Sequence, residues 1–163
     1  VLKHSSDEFP VVGIAGDSGF VSINTSKYLM NREVGFGRKL LQVLEDLNIS
    51  WDHMPTGIDD LSIILRSKEL TPIKEQEILK QLIQELQVDN AEIEHNLSII
   101  MIVGENMKSQ IGVTATATKA LSENNINIQM ISQGSSEVSI IFVVNQEQEK
   151  QAIKALYDAF FKN

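Results

Sequence analysis

The sequence predicts an α+β protein of two βαββαβ units, the first inserted into the second, each an antiparallel sheet with its helices on one face. Three observations carry this. The chain repeats itself: Asn48-Ile49-Ser50-Trp51-Asp52 and Leu61-Ser62-Ile63-Ile64 fall on Asn125-Ile126-Asn127-Ile128-Gln129 and Val138-Ser139-Ile140-Ile141 at one ungapped offset. The same offset carries Gly57 onto Gly134, Val34-Gly35 onto Ile111-Gly112 and Leu44 onto Leu121, which marks a duplicated unit. Within each copy the apolar spacing alternates between strand and helix periods. The second copy ends one strand short, while an apolar strand, Pro10 to Ala15, precedes the first with no place of its own. Filling the vacancy with that strand avoids an open sheet edge. The resulting boundaries are 18–96 for the first unit and 10–17 plus 97–163 for the second.

In the first unit Phe20 to Thr25 reads as a strand, followed by a polar loop ending at Gly35. Phe36, Leu40, Val43, Leu44 and Leu47 then recur at helical spacing, and Asn48 stops the helix. Trp51 to Thr56 is expected as a strand, Gly57 to Asp60 as a turn and Leu61 to Leu65 as a strand. Thr71-Pro72 opens a helix, with Thr at the N-cap and Pro at the first helical position. Ile78, Leu79, Leu82, Ile83 and Leu86 form its stripe, and Ala91 to Glu94 a last strand. The second unit repeats the order. Leu97 to Val103 is a strand, and Gly112 opens a helix that buries Val113, Ala117, Ala120 and Leu121. Ile126 to Ile131 and Val138 to Val144 are strands. Glu147 to Phe161 is a helix with Ala152, Leu156, Ala159 and Phe160 inward.

Of 163 residues, 42% are hydrophobic and 22% charged, a globular composition. No apolar run is long enough to span a bilayer, and Val1-Leu2-Lys3-His4 lacks the apolar core of a secretory signal, so a cytoplasmic location is expected. The opening Val fits Met removal or excision from a longer protein. Without cysteine there is no disulfide, thiol catalysis or zinc–cysteine site. A net charge of −8 with no basic stripe argues against nucleic acid.

Catalytic patterns are missing from the sequence. It has no Gly-x-Ser-x-Gly elbow and no phosphate loop ending in Lys-Ser/Thr. His4, His53 and His95 are scattered without metal-ligand spacing. Gly35-Phe36-Gly37 opens a helix whose first N–H groups are unpaired, a seat for a carboxylate. Asp52 follows the turn out of that helix and can receive an ammonium group. If the helix packs back over its sheet, the two are expected to lie close and to bind a free amino acid by both charges. The equivalent Gln129 offers an uncharged and weaker contact, so the first unit is expected to hold the better pocket.

These same segments carry a resemblance. Gly35-Phe36-Gly37, Asn48 to Asp52 and Asn125 to Ser132 followed by Val138-Ser139-Ile140 resemble the tandem ACT region of aspartate kinases, over about residues 10 to 163. The resemblance implies ferredoxin-like ACT modules, the first inserted in the second, and a homodimer through those modules. It implies feedback inhibition by lysine and/or threonine bound at an interface between modules. Carried over by position, the effector contacts are Met30, Gly35, Phe36, Gly37, Ser50, Trp51 and Asp52, with Pro55 and Thr56 closing the pocket. Gly112, Ile126 and Asn127 are secondary. No metal site or cofactor is implied for this segment. The parent kinase would use ATP and Mg, supplied by an N-terminal catalytic domain, to phosphorylate the β-carboxylate of aspartate. The alternative is a ligand-independent dimerisation module of a larger protein.

Overall fold

The computed structural model describes residues 11–105, 107, 110–135 and 138–162; Pro10 and His4 lie outside them. The element order is β1 (Gly13–Ser26), α1 (Phe36–Asp46), β2 (Asp60–Arg66), α2 (Pro72–Gln84), β3 (Asn90–Val103), α3 (Val113–Glu123), β4 (Met130–Gln133), β5 (Ser139–Asn145) and α4 (Glu149–Phe161). Two compact units result: Gly19–Asn96, and the described residues of Val1–Ser18 with Leu97–Asn163. Gly13–Ala15 of the strand expected at Pro10–Ala15, and the segment expected at Phe20–Thr25, belong to one strand, β1. Likewise Ala91–Glu94 and Leu97–Val103 are one strand, β3.

In the first unit the strand order is β2-β1-β3, with β1 antiparallel to β2 from Phe20↔Arg66 to Ser26↔Asp60. Alternate residues Val21 and Ile23, Leu61, Ile63 and Leu65 share one buried cluster with Phe36, Leu40 and Leu44 of α1 and Ile78 and Leu82 of α2. Both helices therefore cover the same sheet face. Thr71 Oγ1 accepts the Lys74 N–H at 3.3 Å, capping α2 above Pro72. The α2 stripe is narrower than the sequence suggests. Ile78, Leu82 and Leu86 are buried, Leu79 is half-buried, and Ile83, one position round the helix, is 51% exposed.

The Asn-Ile pairs are helix ends and not strand starts. Asn48 has φ 50°, its N–H meets Glu45 O at 2.9 Å, and Ile49 N–H meets Leu44 O at 2.9 Å. Asn125 has φ 55°, with Asn125 N–H on Ser122 O at 3.0 Å and Ile126 N–H on Leu121 O at 3.0 Å. This is a Schellman closure: Asn tolerates the left-handed conformation, and Ile packs beside the Leu that accepts its N–H. The expected strand Ile126–Ile131 accordingly shrinks to Met130–Gln133. The expected strand Trp51–Thr56 reduces to two isolated pairs, His53↔Ile64 and Thr56↔Leu61. Between them Pro55 O accepts the Ser62 N–H at 3.1 Å, but proline has no N–H to return.

In the second unit the order is β1-β3-β5-β4, with β5 antiparallel to both β3 and β4. Val12 N–H donates to Val103 O at 2.8 Å. Val11, 2% exposed, joins Ile100, Ile102, Leu121, Phe142 and Leu156 in the core. On α4, Ala152, Ala155 and Leu156 are buried, Phe160 packs partly against them, and Ala159 is exposed; Ala155 takes the inward place expected of Ala159. The repeat also contains a step. β5 matches β2 two residues later than the ungapped offset, Asp60 onto Ser139, and the buried positions then coincide almost throughout.

Candidate functional site

The start of α1 is built by a constrained loop. Lys27 Nζ lies 2.6 Å from Glu33 Oε2, donates to Leu86 O at 2.7 Å and stands 5.5 Å from the Phe36 ring centroid. Lys39 Nζ takes the other Glu33 oxygen at 2.6 Å. Hydrogen bonds from the two lysines hold the Glu33 carboxyl below the usual carboxylate range. Lys27 N–H also meets Asp59 O at 2.9 Å, tying the loop to the β2 hairpin. These contacts fix the path into Gly35, which takes φ 82° and offers no side-chain cap. A Cβ added at Gly35 or Gly37 would meet nothing within 4 Å, so the backbone there is open to an approaching group. Phe36 N–H already meets Glu33 O, at 3.3 Å. The anion seat therefore moves one residue on, to the N–H groups of Gly37 and Arg38.

Met30 and Phe36 are 7% and 3% exposed, so their side chains shape the loop from beneath and present no surface to a ligand. Pro55 and Thr56 lie on the hairpin into β2, the one whose Asp59 O accepts the Lys27 N–H. Ser50, Trp51 and Asp52 are exposed at the other end. Asp52 N–H donates to Ile64 O at 2.9 Å, and its carboxylate lies 4.0 Å from Arg66 Nε, whose guanidinium sits 4.2 Å from the Phe20 ring centroid. Phe20 and Arg66 pair at the far end of β1 from Ser26. The expected closeness of Asp52 to Gly35 is thus not found within one unit. The eleven residues of α1 separate them by roughly 16 Å. A helix lying along its strands carries its two termini to opposite ends of those strands, so the expected closeness cannot arise within one unit.

Between Trp51 and α1 lies a cleft of about 560 Å³, lined by Leu41, Leu44, Glu45, Asn48, Ile49, Ser50, Trp51 and Glu69. Sequence reasoning found Ser50 and Trp51 but missed Glu45 and Glu69. In the second unit Gly112 repeats the open helix start, at φ 97°, and borders a cleft of about 410 Å³. Ile126 is a core residue, 4% exposed, and Asn127 is exposed. Buried His53 Nε2 has no hydrogen-bond partner, and burial pulls the imidazole below its ordinary value.

The description "ACT domain" matches residues 100–160, from within β3 to within α4. This stretch of the second unit is an ACT domain. Around it, the chain is 50% identical to Aspartokinase 3 of Bacillus subtilis (strain 168) over 161 residues, 99% of this chain and 36% of the relative. Among solved structures, aspartate kinase of Clostridium acetobutylicum, described as an allosteric enzyme, superposes with a TM-score of 0.88 at 36% identity. That match covers 96% of this chain and 36% of the enzyme. The fold is shared with E. coli aspartokinase III in complex with lysine and aspartate, at TM-score 0.77 and 20% identity, over 98% of this chain and 35% of that one. The ACT-bearing chain is homologous to aspartate kinase regulatory regions and spans about a third of the length of these enzymes. Among its described residues no helix is long and apolar enough to cross a membrane.

Proposed function

We infer that this chain is the regulatory segment of an aspartate kinase, that both units act as ACT modules, and that it binds lysine and/or threonine without catalysis of its own. The observation that carries the reading is the division of the candidate site across α1. An open helix start sits at one end and an exposed carboxylate at the other. One copy holds both halves but cannot close them on one zwitterion. Two copies with their α1 helices side by side and antiparallel bring each helix start to Asp52 of the other copy. The N–H groups of Gly37 and Arg38 then take the carboxylate, and Asp52 takes the α-ammonium. Binding so placed favours one arrangement of the copies, and the difference in affinity between arrangements is the inhibitory signal, about 1–3 kcal/mol in typical systems. Catalysis, with ATP and Mg, belongs to the remainder of the parent protein.

The test is calorimetry with lysine and threonine, alone and together, beside sedimentation to follow dimer formation. Heat and dimerisation should rise together. Asp52→Ala should weaken binding by about 1.5–3 kcal/mol, the value of a hydrogen bond to a charged group. Its cost to folding should stay below about 1 kcal/mol, because the Arg66 pair is solvent-exposed. Dimerisation indifferent to both amino acids and to Asp52→Ala would leave a purely structural module.

A further inference from the structure

We propose that Gly19 and Asn96 form a paired hinge about which the two units reorient, and that amino-acid binding sets its angle. The proposal rests on the regulatory reading above and adds the element that moves. Two strands run across the boundary between the units. β1 passes from Ser18 of the second unit to Gly19 of the first, and β3 from Asn96 of the first to Leu97 of the second. At each crossing the backbone is left-handed: Gly19 has φ 83° and Asn96 φ 59°. Every other left-handed residue among those described lies outside the strands, in a loop or at a helix end. Gly and Asn are the residues that take this conformation at least cost. β1 and β3 are also neighbours in the sheet order.

A left-handed residue inside a strand bends it and interrupts the alternation of its side chains. The buried sets change parity at both crossings. In the first unit the odd-numbered Val21 and Ile23 of β1 and Ala91 and Ile93 of β3 pack into the helix-covered core. In the second unit the even-numbered Ile14 of β1 and Ile100 and Ile102 of β3 do so. The crossings are also thinly covered. Asp17 and Ser18 are both exposed, and so are His95 and Asn96, where a strand buried on one face would alternate. A Cβ added at Gly19 would meet only Ser67 Oγ, at 3.8 Å. Motion concentrates where apolar packing is sparse, and a hinge needs only a few residues able to absorb a backbone rotation. Both crossings have such a residue, so the units can turn without melting either sheet.

The chain has no cysteine, so an engineered pair takes spin labels at two known places. Glu85→Cys with Ser122→Cys puts one label in each unit; Glu85→Cys with Lys68→Cys, flanking α2 within the first unit, is the control. Diluting labelled chain into unlabelled chain keeps the measured distances within one copy. Double electron–electron resonance should give a broader distance distribution across the units than in the control. Saturating L-lysine or L-threonine should narrow it and leave the control unchanged. Asn96→Gly keeps the left-handed conformation and admits others, so it should broaden the distribution across the units alone. Gly19→Val drives the backbone out of the left-handed region and should move the centre of that distribution. Equal widths for the two pairs, unmoved by Asn96→Gly, would overturn the hinge. Calorimetric heat from an amino acid with no change in the distances would also overturn it, and would leave amino-acid binding intact. No heat from either amino acid would remove the regulatory reading, and the signalling role of the hinge with it.

Discussion

At the scale of single residues, glycine at position 37 works against the helix it stands in. Gly in a helix costs about 0.5–1 kcal/mol relative to Ala, and nothing in the fold stands within 4 Å of the missing Cβ. Gly37→Ala should therefore raise the midpoint of urea denaturation while weakening effector binding, because the new methyl covers the N–H groups meant for a carboxylate. A gain in stability with unchanged calorimetry would count against the anion seat. His53 gives a separate test. Burial lowers its pKa from an ordinary value of about 6.5, so the unfolded chain binds more protons in the window just below that value. Stability due to neutral His53 is complete above this window and falls as pH drops through it. Thermal melts should show the midpoint declining on acidification from pH 7, and His53→Gln should flatten that part of the profile.

At the scale of elements, the two Schellman closures explain why Asn-Ile recurs. A non-glycine residue other than Asn or Asp pays about 1–2 kcal/mol for the left-handed conformation. Asn125→Ala should lower the stability of its unit by roughly 1 kcal/mol, read from chemical denaturation, and Asn48→Ala should act likewise in the other. These closures also mark the limit of what could be read from sequence. Helix stripes were legible because burial repeats every three or four residues, as at Phe36, Leu40 and Leu44. Gly35 and Gly112 were legible as helix starts because a positive φ there suits glycine. Strand extent was not. Ile49 and Ile126 look like strand residues by composition yet serve as hydrophobic caps, and Pro55 breaks a ladder that β-propensity alone would continue. The site was legible residue by residue, but its assembly was not, since helix direction decides which ends meet.

At the scale of the whole molecule, the described residues from Val11 to Ser18 are structural members of the unit built from the other end of the chain. Val11 is buried in that unit's core and Val12 hydrogen-bonds Val103. Removing residues 1–16 uncovers the β3 edge and forfeits the burial of Val11, itself worth about 1.5–3 kcal/mol. Hydrogen exchange on the truncated chain should show protection lost along Leu97–Val103 and kept along Phe20–Thr25; uniform protection in both would contradict this accounting. The longer hairpin of the second unit carries one more implication. Residues added within such a connection are absorbed there and leave the β3–β5 pairing intact, whereas a one-residue slip of β5 itself would send Phe142 outward and Ile141 in. An insertion library in the Gln133–Ser139 connection should therefore yield folded members of odd and even length alike, while a residue inserted between Ile140 and Phe142 should lower the thermal midpoint.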